Sequence, residues 1–209
     1  MAFSVEHITR ENIRRLKPYA SAKDELPEIS GDTVFLDANE QPSPLPGLPD
    51  QINRYPRRIQ DDLQEQIALL RKLDPSQLIL GNGSDEIIDM LMRCFARPGT
   101  DKVVVFPPTF GMYGVCAAIN DLEVVEVPLD SNFRMDTSAV RDINDARLVF
   151  VCNPNNPTGN IQNREELVGL IRDFPGLVIV DEAYIDFSSG SSFLEKLPDY
   201  PNLIVMQTF

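Results

Sequence analysis

Apolar residues in this chain fall in two rhythms. From Ile59 they recur at Leu63, Ile67 and Leu70, the spacing of one helical face, and the stripe ends near Leu73. Beyond it, short continuous apolar runs alternate with helical stretches. The pattern predicts strands at Leu78–Leu80, Val103–Phe106, Val124–Val127, Leu148–Cys152, Leu177–Val180 and Leu203–Met206, and an earlier one at Val34–Leu36. Between them it predicts helices at Glu86–Phe95, with Ile87, Leu91 and Met92 inward, at Gly111–Ile119 and at Glu165–Ile171. Unbroken Val/Ile/Leu runs suit strands covered on both faces. Right-handed crossovers then give an α/β fold, a mostly parallel sheet with helices on both faces. Ligands of such sheets sit beyond the carboxyl ends of the strands.

Three polar clusters occupy those ends. Gly81-Asn82-Gly83-Ser84-Asp85-Glu86 joins a strand to a helix, where free backbone N–H groups can receive an anion such as phosphate. Taken by itself it reads as a capped helix, with Ser84 as cap and two acids at the positive end of the dipole; those acids repel a phosphate unless they point away. Asn153-Pro154-Asn155-Asn156-Pro157-Thr158-Gly159 offers either a run of turn formers or a rigid loop presenting the Asn156 amide. Asp181-Glu182-Ala183-Tyr184 is the least ordinary cluster, because a carboxylate ending a buried strand is costly unless it meets a cation or strong donors.

Composition narrows the field. The chain has 209 residues, 43% hydrophobic and 24% charged, in the range of ordinary globular proteins. Seventeen prolines, several between Gln41 and Pro56, mark an extended connector. A net charge of −13 leaves no basic stripe for nucleic acid. Cys94, Cys116 and Cys152 sit apart in apolar stretches and read as reduced core thiols of a cytoplasmic protein; His7, the single histidine, leaves no imidazole pair for zinc, and no metal site is expected. No apolar run approaches the roughly 20 residues that cross a bilayer, and the charged N-terminus lacks a signal-peptide core. An apolar strand ending in Asp-Glu also occurs in nucleotide hydrolases, but the required G-x-x-x-x-G-K-[ST] loop is absent.

In order, Gly83-Ser84-Asp85-Glu86, Pro107-Pro108-Thr109-Phe110-Gly111-Met112-Tyr113, Asn155-Asn156-Pro157-Thr158-Gly159 and Asp181-Glu182-Ala183-Tyr184 resemble the fold-type I, pyridoxal-phosphate-dependent aminotransferases. Asp37-Ala38-Asn39-Glu40 and Arg54-Tyr55-Pro56 are similar to the histidinol-phosphate branch, and the resemblance runs from about Pro18 to Phe209. It implies an N-terminal arm and small-domain segment at residues 1–50 and a cofactor-binding large domain, incomplete at its C-terminus, at residues 51–209.

The resemblance further implies that Asp181 pairs with the protonated pyridine nitrogen of pyridoxal 5'-phosphate, supplying its own missing cation. Asn156 and Tyr184 would donate to the phenolic oxygen. Phe110, where relatives commonly carry tyrosine, would stack on the ring. Gly83, Ser84 and Asp85 would bind the phosphate through backbone N–H groups, with the Thr208 hydroxyl and, from the second subunit of a homodimer, Tyr55. Tyr19 and Asn39 match substrate-pocket positions; the family's Asn-Glu-Asn-Pro is here Asn39-Glu40-Gln41-Pro42, which bears on substrate choice. Met112 and Tyr113 read as core packing, Glu182 as a supporting or surface carboxylate, and Arg57 and Arg58 as a solvated helix start.

The implied reaction is transamination of L-histidinol phosphate with 2-oxoglutarate, giving glutamate. The alternatives are a related aminotransferase or decarboxylase acting on another amino acid, such as an aromatic or phosphothreonine-type substrate, and a non-catalytic cofactor-binding fragment. The family's cofactor lysine is expected just after Phe209, so no catalytic residue is expected within the chain; Lys17, Lys23, Lys72, Lys102 and Lys196 are not placed to substitute for it.

Overall fold

The computed structural model describes residues 3–19, 34, 36, 38–47, 52–55 and 61–209. They divide into two units, one of residues 1–16 and 81–209 and a second of residues 17–80. In the first unit the apolar runs become strands β1 (Lys102–Val105), β2 (Glu123–Glu126), β3 (Ala146–Cys152), β4 (Leu177–Asp181) and β5 (Leu203–Met206). They form one sheet in the order β2-β1-β3-β4-β5, and every pairing is parallel.

Six α-helices are described: α1 (Val5–Ile8), α2 (Glu11–Arg14), α3 (Asp61–Arg71), α4 (Ser84–Phe95), α5 (Met112–Ile119) and α6 (Arg164–Asp173). The sheet feeds two separate cores. Val103, Leu148, Phe150 and Ile179 pack with Ile88 and Met92 of α4 and Tyr113 and Cys116 of α5. On the other face Val104, Val149, Val151, Val178 and Val180 pack with Leu167, Leu170 and Ile171 of α6. The expected arrangement, helices on both faces of a parallel sheet, is therefore present. The inward residues of α4 are Ile88 and Met92, while Ile87 and Leu91 are only partly buried.

Polar groups fix the joints of this unit. Asn163 caps α6, its side-chain oxygen accepting the N–H groups of Glu165 and Glu166 at 2.9 and 3.2 Å. The N-terminal segment docks through buried Ile8, while Arg10 donates its N–H to the Cys94 carbonyl and its guanidinium to that of Arg93, at the end of α4. A cation suits that end of a helix. The buried Asp101 carboxylate accepts from the Arg97 guanidinium at 2.7 Å and lies 3.5 Å from Arg147, joining the entry of β1 to β3.

Burial pushes the Asp101 carboxyl up, but the Arg97 side-chain and backbone donors and the Arg147 charge outweigh it and hold the group below its usual range. A lowered pKa contributes stability above the ordinary carboxylate range and loses it as the pH falls through the folded value. Asp101→Asn is therefore expected to cost about 2 kcal/mol at pH 7, the scale of hydrogen bonds to a charged group. The difference from the parent chain in urea melts should shrink as the pH is brought below 4, where the parent loses this contribution.

The second unit contains α3, whose Gln64 side chain donates to the carbonyls of Pro75 and Leu78, each at 2.7 Å. Asp74 caps the short turn Pro75–Gln77 by accepting the Ser76 N–H at 2.8 Å. The expected strand Leu78–Leu80 does not form: this stretch has no ladder and Ile79 is 74% exposed. Three apolar residues do not distinguish a strand from an apolar connector. Leu63 and Leu70 of the expected helical stripe are also exposed. Of the other expectations here, Ile59, Arg57, Arg58 and Phe35 of the Val34–Leu36 strand lie outside the described residues.

Candidate active site at the strand ends

The chain runs from β1 to β2 on one side of the sheet, and β3 takes its place on the other side of β1. Beyond the carboxyl ends of β1 and β3 their loops diverge, the point at which open α/β sheets form a crevice. Asn155, 4% exposed, ties the two loops together. Its Nδ2 donates to the Pro108 carbonyl at 2.9 Å and to Thr158 at 2.7 Å, and its Oδ1 accepts from the Thr109 hydroxyl at 3.1 Å. The Pro107–Pro108, Asn153–Pro154 and Asn156–Pro157 bonds are cis.

Asp181 ends β4 and is 2% exposed. Its Oδ2 accepts from the Tyr113 hydroxyl at 2.6 Å and its Oδ1 from the Ala183 N–H at 3.1 Å. Among the described residues it has no ion-pair partner. Burial pushes its pKa up and the like charge of Asp85 adds to that, against the lowering by its two donors. Burial and the Asp181 charge also raise the Cys152 thiol, to about 11. A buried carboxylate with two donors and no cation is suited to receive a cationic N–H from a ligand.

Nearby side chains complete an acceptor and donor set. Asn156 Nδ2 donates to Tyr184 Oη at 3.4 Å, so these two converge from the loops after β3 and β4. Tyr184 is half-exposed. Phe110 meets the Tyr113 ring edge-on, with centroids 5.6 Å apart. The Thr208 hydroxyl donates to the Ala183 carbonyl at 3.2 Å, which keeps the segment after β5 beside the one after β4.

Gly83 precedes α4 at φ 79°, a left-handed conformation that favours glycine, and an added Cβ there would meet nothing within 4 Å. No side chain caps this helix, so its first N–H groups remain available. Glu86 turns back, its Oε2 accepting both the backbone and side-chain N–H groups of Asn82 at 2.5 and 3.1 Å. One of the two acids that could repel a phosphate is thereby engaged in the preceding turn.

Tyr19, Asn39 and Tyr55 belong to the second unit and are exposed there. The Asn39-Glu40 and Arg54-Tyr55 segments are clasped by Glu40, which accepts from Arg54 Nη1 at 2.9 Å and from the Tyr55 N–H at 2.7 Å. Asp37 and Pro56 of the same motifs lie outside the described residues.

Sequence reasoning missed two buried carboxylate networks. Glu182, 1% exposed, accepts from Ser192 Oγ and the Phe193 N–H, each at 2.6 Å, and from Gln207 Nε2 at 2.8 Å. Burial raises its pKa against those donors and the Arg164 charge. Nothing near Glu182 in sequence signals partners 10 to 25 positions away. Tyr113 is the second case, a fully buried tyrosine read as packing that also donates to Asp181. Its signal was present: a tyrosine on an apolar helix face needs a partner for its hydroxyl.

Residues 33–209 match the model of the family described as Aminotransferase class I and II. The chain is 49% identical over 208 residues to a histidinol-phosphate aminotransferase of Bacteroides fragilis, covering 99% of this chain and 59% of that protein. It is 42% identical over 211 residues to the histidinol-phosphate aminotransferase of Cytophaga hutchinsonii, covering 100% and 60%. The chain thus spans about three-fifths of the length of these relatives. Among solved structures it is similar to the histidinol-phosphate aminotransferase of Sinorhizobium meliloti in complex with pyridoxal-5'-phosphate, at a TM-score of 0.65 and 27% identity, over 71% of this chain and 42% of that one.

Proposed function

The chain belongs to the class I and II aminotransferases, and from that premise we propose that it provides the cofactor-holding part of an enzyme transferring an amino group between L-histidinol phosphate and 2-oxoglutarate. The cofactor is pyridoxal 5'-phosphate, and the observation that carries the reading is the buried Asp181 at the strand ends, which has two hydrogen-bond donors and no ion-pair partner among the described residues. The residues present fit that group. Asp181 matches a protonated pyridine nitrogen, the converging Asn156 and Tyr184 match an anionic ring oxygen, and the uncapped start of α4 matches a phosphate.

Bound there, the cofactor supplies an electron sink for the carbon that bears the amino group. The chain's own residues bind and orient it. Asp181 holds the proton at the ring nitrogen, and Asn156 and Tyr184 donate to the ring oxygen. Phe110 covers one ring face. Backbone N–H groups of Gly83, Ser84 and Asp85, with the Thr208 hydroxyl, hold the phosphate. Tyr55 reaches that phosphate from the second copy of a homodimer, and Tyr19 and Asn39 line the substrate pocket. The enzyme works in the cytoplasm, which suits the free thiols of Cys94, Cys116 and Cys152. No helix among the described residues is long and apolar enough to cross a membrane.

The similarity of this chain to histidinol-phosphate aminotransferases supports the choice of substrate. It is tested by expressing the protein that carries this chain and measuring glutamate formed from 2-oxoglutarate with each of three amino donors. L-Histidinol phosphate is expected to be the fastest donor. Faster turnover of phosphothreonine or an aromatic amino acid would reassign the substrate, and cofactor binding without turnover of any donor would favour a non-catalytic role.

A further inference from the structure

Tyr113 occupies an unusual position for a side chain outside the proposed cofactor contacts. It is 0% exposed, on the inward face of α5, with its ring stacked on Phe150 at 4.9 Å between centroids and 23° between planes. Phe110 presses on the same ring edge-on. The tyrosine therefore has almost no freedom to move, and its hydroxyl donates to Asp181 Oδ2 at 2.6 Å with the Cys152 thiol beside it.

A carboxylate accepts along about four lone-pair directions. The Ala183 N–H occupies one on Oδ1, but it belongs to the turn that immediately follows Asp181 and moves with it. Tyr113 comes from a different element, across the core from β4. Of these two donors, Tyr113 is the one that ties the carboxylate's rotation to the body of the protein. Burial and the Asp181 charge push the phenol far above its ordinary range, so the hydroxyl remains a donor at every working pH.

We infer that Tyr113 is a positioning residue: its hydroxyl sets the rotation of the Asp181 carboxylate and leaves a lone pair of that group free for a ring N–H. The inference rests on the proposed cofactor site. Through Phe110, the same tyrosine also links the carboxylate to the residue that covers the ring face. Tyr113→Phe removes the donor and keeps the packed ring. The Asp181 carboxylate then becomes more basic and draws the shared proton away from the ring nitrogen.

The test is a double-mutant cycle on the full chain, titrating pyridoxal phosphate into the parent, Tyr113→Phe, Asp181→Asn and the double variant, with thermal midpoints recorded for each. Tyr113→Phe should weaken binding about tenfold, as expected for one hydrogen bond to a charged acceptor. In the Asp181→Asn background the same change should alter affinity less than about twofold, because the group it acts through has changed. With ring-¹⁵N-labelled cofactor, the nitrogen resonance should move in Tyr113→Phe toward the neutral-pyridine position. An equal loss in both backgrounds with an unmoved resonance would assign Tyr113 to packing alone. If Asp181→Asn weakens binding and Tyr113→Phe does not, the positioning role is wrong and the cofactor site stands. If the parent and Asp181→Asn bind alike, the cofactor site fails and the positioning role fails with it.

Discussion

Asp181→Asn is expected to weaken pyridoxal-phosphate binding about a hundredfold or more. Breaking a buried charge pair by removing one partner costs about 3–5 kcal/mol, because the remaining charge is left uncompensated. In this site the ring N–H of the cofactor would be the remaining charge, facing an amide where the 2% exposed carboxylate had been. The measurement is a spectroscopic titration of parent and variant at matched pH. A variant that binds within threefold of the parent would remove Asp181 from the proposed site.

The same carboxylate loads the cofactor-free fold. Its pKa is raised, chiefly by burial, so its favourable contribution is complete below the ordinary aspartate range and is lost as the pH rises through the folded value. Glu182 follows the same sign, and Asp101 the opposite one. Added cofactor should therefore raise the melting temperature of the parent at neutral pH by more than that of Asp181→Asn, since a ligand that binds only the folded state stabilises in proportion to its affinity.

Phe150→Ala should destabilise the fold by about 3–5 kcal/mol. Phe150 is fully buried in β3, the central strand, and its ring stacks on Tyr113. The cavity would open directly beneath the donor to Asp181. Phe150→Leu, which keeps much of the volume, should cost clearly less. Chemical denaturation gives both values, and a loss below about 1 kcal/mol for the alanine variant would mean that the layer collapses around the gap.

The centre of the main sheet was legible because β3 and β4 are buried on both faces and read as nearly continuous apolar runs. At the flanks the signal is shorter: β2 is Glu123-Val124-Val125-Glu126, one residue earlier than expected, while Leu203–Met206 forms with the bounds expected from the sequence. Helix α4 begins at Ser84, two residues before the predicted start, since Gly83 supplies the turn and Ser84 is already helical. Leu78–Leu80 carried the same apolar signal and forms no strand. Composition over three residues says nothing about whether a neighbouring strand is within reach.

At the strand ends, residue types disclosed which groups could do chemistry but not how they are held. Asn156 and Tyr184 were expected to serve one ligand atom, and they do converge. Asn155 and Glu182 serve the loops themselves, through partners distant in sequence. Such long-range polar bonds have no local periodicity, so only the fold reveals them. The Glu40–Arg54 clasp belongs with these, and it gives a physical reason for Asn39-Glu40 and Arg54-Tyr55 to occur together.

Strand β5 also joins the sheet to the strand-end carboxylate. It pairs with β4 along Val178–Asp181, and Met206 stands beside Asp181 in the ladder. The Glu182 N–H donates to the Met206 carbonyl at 2.8 Å and the Thr208 hydroxyl to the Ala183 carbonyl at 3.2 Å, so the two segments are stitched together just past Asp181. A substitution that loosens this seam would be felt at the carboxylate before it unfolded the rest of the sheet.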